Sequence, residues 1–235
     1  MPYRWSNSAE LRRSQIESGI DLTFNKVFMP LFIEKITALA KYSILEVGAG
    51  TGHLSKALAC EGRYITAIEP SEGMFSVAKD VLADTGVNLI NCASLDLPVD
   101  VYYELAISHL VAHVVDDVAV FFRSIAAHIE TSGHFIFSIP HPCFFNEYKK
   151  IVGEGYQYME STYQEIAFTI TKDQENEISG VPYHHRPLST YVNTLVAAGF
   201  AIDGFEETWP SAEIQALYGK DWENPRYCLF VCKKL

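Results

Sequence analysis

The chain has 235 residues, 49% of them hydrophobic and 20% charged, with a formal net charge of −11 from 18 basic and 29 acidic side chains. That length suits one domain with an insertion, and the apolar content is enough for a real core. The acidic balance argues against a nucleic-acid substrate, which needs clustered Lys and Arg. No apolar run is long enough to cross a bilayer. Met1 to Glu17 is charged and polar with no apolar signal region, so a cytoplasmic setting is expected. The five cysteines, Cys60, Cys92, Cys143, Cys228 and Cys232, are scattered and form no C-x-x-C pair. They read as reduced, mostly buried thiols.

Ser8 to Leu39 carries apolar residues at helical spacing, among them Ile16, Phe28, Phe32 and Ile36. Gly19 and Asp21 mark a break, and Pro30 starts or kinks the last helix. Next, an apolar run from Ser43 to Val47 with one acid, Glu46, drives into Gly48-Ala49-Gly50-Thr51-Gly52, and a helical segment follows from His53 to Glu61. The unit is strand, tight turn, helix. Glycine permits positive φ and close approach of a ligand to bare backbone, and the amides opening the helix can face a polar group. This is a nucleotide-type pocket. Its spacing is G-x-G-x-G, whereas a dinucleotide fingerprint asks for G-x-G-x-x-G.

Glu46 together with this glycine spacing resembles motif I of the class I S-adenosylmethionine-dependent methyltransferases, in the small-molecule branch. The resemblance implies that S-adenosyl-L-methionine is the cofactor. It implies that Glu46 holds the amino-acid end and that Gly48, Ala49 and Gly50 give it room. It also implies an α/β fold: a Rossmann-like, seven-stranded, mostly parallel sheet with helices on both faces, the last strand antiparallel, and an inserted lid. The divisions expected are 1–42, a helical segment over the pocket; 43–139, the cofactor-binding core; 140–187, the lid; and 188–235, the rest of the sheet.

The next strand, Tyr64 to Ile68, ends in Glu69-Pro70-Ser71 and opens a helix running to about Leu82. An acid about 20 residues past the glycines can accept hydrogen bonds from both ribose hydroxyls, and the resemblance gives Glu69 that role. Met74 matches a position that packs on the adenine face, although plain core filling accounts for it equally well. Val87 to Asn91 reads as a third strand. Cys92 to Pro98 matches the family's third motif, where Asp96 would accept the adenine amino group with Ser94 and Leu95 beside it. Glu104 to Leu110 reads as a fourth strand, placing Ser108 and His109 at the sulfonium end.

His113 follows, before an Asp116-capped helix from Val118 to Ile129. It is the candidate substrate-facing base, because imidazole titrates near neutrality. A fifth strand, Gly133 to Ile139, ends at Pro140-His141-Pro142. The two prolines aim His141 at the ligand edge, where it either touches substrate or serves the turn.

From Phe144 to Pro187 the βαβ rhythm breaks. The stretch is rich in aromatics, Gly153 and Gly155 loosen it, and Glu165 to Thr171 alternates like a strand. The polar Lys172 to Ser179 then precedes a return strand near Val181, making an antiparallel flap. Long insertions are usually functional, so this one reads as a lid over a partly aromatic pocket; a homodimer interface would use the same residues. His184 and His185 point apart and lack a third ligand, so no metal site is expected. A helix from Thr190 to Ala198, capped by Ser189, then a strand from Ala201 to Thr208, a short helix from Ala212 to Leu217 capped by Ser211, and a strand from Arg226 to Lys233 complete the chain.

The sulfonium already makes the methyl electrophilic, so the enzyme has to align a nucleophile and exclude water. The expected activity is methyl transfer to N or O of a small molecule. The rivals are a nicotinamide oxidoreductase, disfavoured by the glycine spacing, and a cofactor-binding but catalytically silent partner subunit.

Overall fold

The computed structural model describes residues 4–59, 62–98, 100–149, 155–219 and 221–235. Cys60, Glu61 and Gly153 lie outside them. A 3-10 turn, Arg4–Ser8, leads into α1 (Ala9–Glu17). A π-helical stretch, Thr23–Phe28, runs straight into α2 (Met29–Leu39), with Pro30 in its first turn, where a missing N–H costs nothing. Then come β1 (Ser43–Val47), α3 (His53–Ala59), β2 (Tyr64–Ile68), α4 (Glu72–Val81), β3 (Asn88–Ile90) and β4 (Tyr103–His109). The second half contains α5 (Val118–Ala127), β5 (Ile129–Pro140), α6 (Phe145–Lys149), β6 (Thr162–Ile170), β7 (Asp173–His185), α7 (Leu188–Ala197), β8 (Phe200–Glu207), α8 (Ala212–Tyr218) and β9 (Tyr227–Lys234).

Seven strands form one sheet in the order β3-β2-β1-β4-β5-β9-β8. β1 to β5 pair in parallel, and β9 enters antiparallel between β5 and β8. The order reverses between β1 and β4, and the carboxyl ends of those strands are where an open α/β sheet receives a ligand.

Residue alternation along the strands divides the core between two faces. Leu45, Ala106, Phe135, Phe137 and Phe230 turn to one side, where α5 and α7 bring Phe122, Ile125 and Leu195. Ile44, Leu105, Ile136 and Leu229 turn to the other, onto Phe32 and Ile36 of α2 and Leu54 and Leu58 of α3. Cys228 and Cys232 lie on the α5 side, fully buried, as their spacing of four on a strand requires. Phe137 and Phe230 are cross-strand partners and stack with centroids 4.8 Å apart.

Several boundaries differ from the sequence reading, each for a local reason. The cap of α5 is Asp117, whose carboxylate accepts from the amides of Ala119 and Val120. A cap must sit immediately before the first helical residue, and Asp116 lies one place too early, 3.4 Å from His184. α5 stops at Ala127 because Ile129 pairs with Tyr103 at the start of β4, so β5 begins four residues before Gly133. α7 starts at Leu188 with Pro187 before it, which puts Ser189 inside the first turn rather than at the cap. In the insertion, Ile170 pairs with Asp173, so the turn is Thr171-Lys172 alone and the polar Asp173 to Ser179 is strand. Those residues mimic a loop because the hairpin tip is exposed on both faces. No described helix is long and apolar enough to cross a membrane.

Candidate active site

The glycine turn follows from steric necessity. Gly48 has φ +74°, and a Cβ there would meet Val111 Cγ2 at 2.5 Å; Gly50 has φ +56°. The amides of Gly48 and Ala49 both donate to the Ile68 carbonyl at the end of β2, at 2.9 and 3.0 Å. The turn is therefore clamped between the ends of β2 and β4.

Two carboxylates flank it. Glu46 is 2% exposed and accepts from the Ser55 hydroxyl on α3. Burial pushes its carboxyl up to about 7, with Ser55 pulling the other way and the neighbouring Glu69 charge adding to the rise. Glu69 is 7% exposed. Its carboxylate accepts the Gly50 amide at 2.8 Å and the Ser71 amide at 2.8 Å. Burial pushes it up to about 7 against those two bonds. Neither acid is bonded to a cationic side chain among the described residues. Each retains unused acceptor capacity in a dry setting, where it is costly. A ligand bringing an ammonium group and vicinal hydroxyls supplies the missing donors, so the donor set fits an amino-acid–nucleoside cofactor.

The other cofactor candidates sit along the same edge. Ser71 caps α4, its hydroxyl 3.5 Å from the Met74 amide, with Pro70 just before it. Met74 is buried with Ala9, Val77 and Val81 in a small cluster that Trp5 covers, which is the core-filling arrangement. Ser94 is pinned to α5 through Ser124, Oγ to Oγ at 2.7 Å, whereas Leu95 and Asp96 are exposed on a 3-10 turn after β3. Ser108 donates to the Val47 carbonyl at 2.9 Å, tying the ends of β4 and β1. Glu104 lies at the opposite end of β4, where its carboxylate accepts the amides of Tyr42 and Ser43.

His109 bonds Ser138 through Nδ1 at 2.8 Å and is packed by the rings of Phe24, Phe28 and Phe32. Burial pushes it down to about 3, opposed by Asp21. Leu110, at φ +54°, takes the chain out of the strand in the left-handed region. His113 follows, 9% exposed, its ring 5.9 Å from that of Tyr183 on β7. Its carbonyl accepts the His184 amide at 2.8 Å, yet its own Nδ1 has no partner among the described residues. Burial, with Arg186 adding, pushes it down to about 3. His141 is different. Its Nδ1 accepts the Cys143 amide at 3.2 Å and its Nε2 faces Glu207 at 2.9 Å, so both nitrogens are engaged. Its position is that of a ring holding the exit of β5 to β8.

The N-terminal segment closes this edge. The Ser6 hydroxyl lies 3.0 Å from that of Ser71 and accepts the Gly73 amide at 3.1 Å. Trp5 meets Phe168 of β6 edge-on, and Gln15 bonds Asp173 at the hairpin turn at 2.9 Å. Arg12 holds Asp21 and Gln15 together. Sequence reasoning did not single out Ser55, Val111 or the Arg12–Asp21–Gln15 set. A polar residue on the buried face of α3 is the one signal that could have marked Ser55. Among the described residues no cluster of His, Cys, Asp and Glu could hold a metal ion.

Comparison with known proteins bears on this geometry. A family model described as "Methyltransferase domain" matches residues 45–137, from β1 through most of β5. The chain is 30% identical over 128 residues to a ubiquinone biosynthesis O-methyltransferase of Rickettsia felis, a stretch covering 52% of each protein. It therefore spans about half the length of the curated relatives it matches. Among solved structures, an S-adenosylmethionine-dependent methyltransferase from Mesorhizobium loti superposes with a TM-score of 0.63 at 25% identity, over 83% of this chain and 91% of that one. One from Clostridium acetobutylicum gives 0.67 at 17% identity, over 98% of both, a likeness of fold.

Proposed function

We infer that this chain, which belongs to the class I S-adenosylmethionine-dependent methyltransferases, transfers a methyl group to a nitrogen or oxygen of a small molecule. The observation that carries the reading is the pair of buried, cation-free carboxylates, Glu46 and Glu69, set on either side of a turn whose glycines are sterically required. Bound S-adenosyl-L-methionine supplies an electrophilic methyl on sulfonium. Glu69 would take the ribose hydroxyls while the Gly50 and Ser71 amides hold its carboxylate in place. Glu46, fixed by Ser55, would face the amino-acid end. Ser94, Leu95 and Asp96 form the turn that would meet the adenine, and Ser108 and His109 would border the sulfur.

Of the two candidates His113 has a nitrogen without a partner among the described residues, so it is the group we assign to the acceptor; His141 would shape that side of the cavity without handling a proton. The hairpin β6–β7 and the segment before α2 would exclude water, since both pack onto this edge. Phe145 and Tyr183 are turned inward onto their own chain, which favours a lid over a homodimer contact. The net charge of −11 supports a small acceptor rather than a phosphate backbone.

The test is calorimetric titration with S-adenosyl-L-methionine. Replacing Glu69 by Ala should weaken binding by about 10- to 100-fold, the worth of charge-assisted bonds to two hydroxyls. Unchanged affinity would remove Glu69 from the site.

A further inference from the structure

Six rings follow one another at the acceptor end of the site. His109 meets Phe28 at 4.3 Å between centroids, Phe28 meets Tyr227 at 5.0 Å, and Tyr227 meets Phe145 at 6.0 Å. Phe145 meets Tyr183 at 5.6 Å, and Tyr183 returns to His113 at 5.9 Å, four residues past the start. The rings come from the end of β4, the lead into α2, the start of β9, α6 and the lid strand β7. Such a cuff of flat faces, joined between its two ends only by the backbone from His109 to His113, suits a flat guest.

At the His113 end of the cuff the nearest full charge is positive. Arg186 is 7% exposed and donates to the carbonyls of Ala112, Val115 and Asp116, with no carboxylate at ion-pair distance among the described residues. Its field reaches His113; His109 and His184 lie near as well, both kept neutral by burial. Of these, His184 is 3.4 Å from the exposed Asp116. On the His109 side, Arg12 and Asp21 pair with each other, and Asp21 also caps the Phe24 amide. Within the field of Arg186, His113 Nδ1 has no partner among the described residues. A neutral imidazole can donate from one nitrogen.

Resting on the methyl-transfer reading above, we propose that the acceptor is a planar phenol or enol, bound in the ring cuff as its oxyanion with His113 Nδ1 donating to that oxygen, and methylated there. The oxygen lone pair forms the new C–O bond as the methyl–sulfur bond breaks, and the electron pair of that bond stays on sulfur. No proton has to leave. An anion and a sulfonium cation become two neutral products, which a water-poor site favours. A neutral amine would instead carry the positive charge onto nitrogen beside Arg186, with no such gain. A histidine kept neutral by its surroundings is a poor proton acceptor but a sound hydrogen-bond donor, so an acceptor that arrives ionised matches it.

4-Nitrophenol, whose neutral and ionised forms absorb differently, is the probe. Titrated with the whole protein and S-adenosylhomocysteine, it should bind as the anion, with its apparent pKa lowered by about one unit or more. His113→Phe should shrink that shift and weaken binding about tenfold or more. An unchanged or raised pKa of the bound probe overturns the proposal, as does 4-nitroaniline binding equally well or the absence of bound probe at millimolar concentration. With a methyl-labelled cofactor, label should reach phenols and not matched anilines. Label reaching anilines alone sinks this inference and leaves methyl transfer standing. Failure of the protein to bind cofactor in calorimetry sinks the methyl-transfer reading instead.

Discussion

Gly73 separates the stability of the core from the closure of its edge. It lies in the first turn of α4, and a Cβ there would meet the Ser6 carbonyl oxygen at 2.5 Å and Ser6 Cα at 2.6 Å. These are backbone atoms and cannot rotate away. Within α4 itself, Gly73→Ala is favourable by up to about 1 kcal/mol, the ordinary helix preference for alanine over glycine. At the contact it expels the N-terminal segment. The two Ser6 bonds go, at about 0.5 to 1.5 kcal/mol each, and so does the edge-on contact of Trp5 with Phe168, about 0.5 to 1.5 kcal/mol. The docking loss is therefore about 1.5 to 4.5 kcal/mol, a fall in amide protection for residues 5–17 of about 10- to 2,000-fold. Hydrogen exchange reads that segment, and urea unfolding reads the core. The expected result is a segment that exchanges freely on a core no less stable than before. Ser6→Ala, which removes the bonds without the clash, should fall between. Undiminished protection in Gly73→Ala, or equal losses in segment and core, would refute the argument that this glycine exists to admit the N-terminal backbone.

Asp117→Ala should destabilise the protein by about 1 kcal/mol, the value of a helix N-cap, whereas Asp116→Ala should stay within about 0.5 kcal/mol; urea midpoints compare them directly. Buried His109 and His113, both pushed down to about 3, contribute a loss of stability on acidification from about pH 6.5 towards 3, because the unfolded chain takes up protons that they refuse; Glu46, raised to about 7, offsets part of that loss above about pH 4.5. Glu69 likewise acts against the histidines: raised from 4.5 to about 7, it adds to stability as pH falls through that window and loses the contribution as pH rises. Unfolding of wild type and Glu69→Gln at about pH 5 and about pH 8 should therefore show a stability difference that shifts towards wild type at the lower pH. A difference independent of pH would mean that the Glu69 carboxyl is not buried in the free protein.

The sequence by itself determined the frame. Short apolar runs ending in glycine or acid marked the first strands, and a strand running into three alternating glycines has few geometries open to it. Glu46, Glu69 and the glycine turn were legible because each is close in sequence to the backbone that fixes it: Glu69 is held by Ser71 two residues on and by a turn already recognised. What local pattern could not decide was anything resting on contact between distant elements. Asp116 and Asp117 are equivalent as caps until the first turn of α5 chooses one. Residues 173–179 look like a loop until β6 supplies partners. His113 and His141 are both candidates along the chain, and only packing distinguishes them: Glu207, 66 residues away, satisfies His141, while no described residue satisfies Nδ1 of His113. The sign of the field on His113 likewise comes from Arg186, carried there by the return of the lid. Electrostatics and ring packing act through space, so tertiary structure alone could set them.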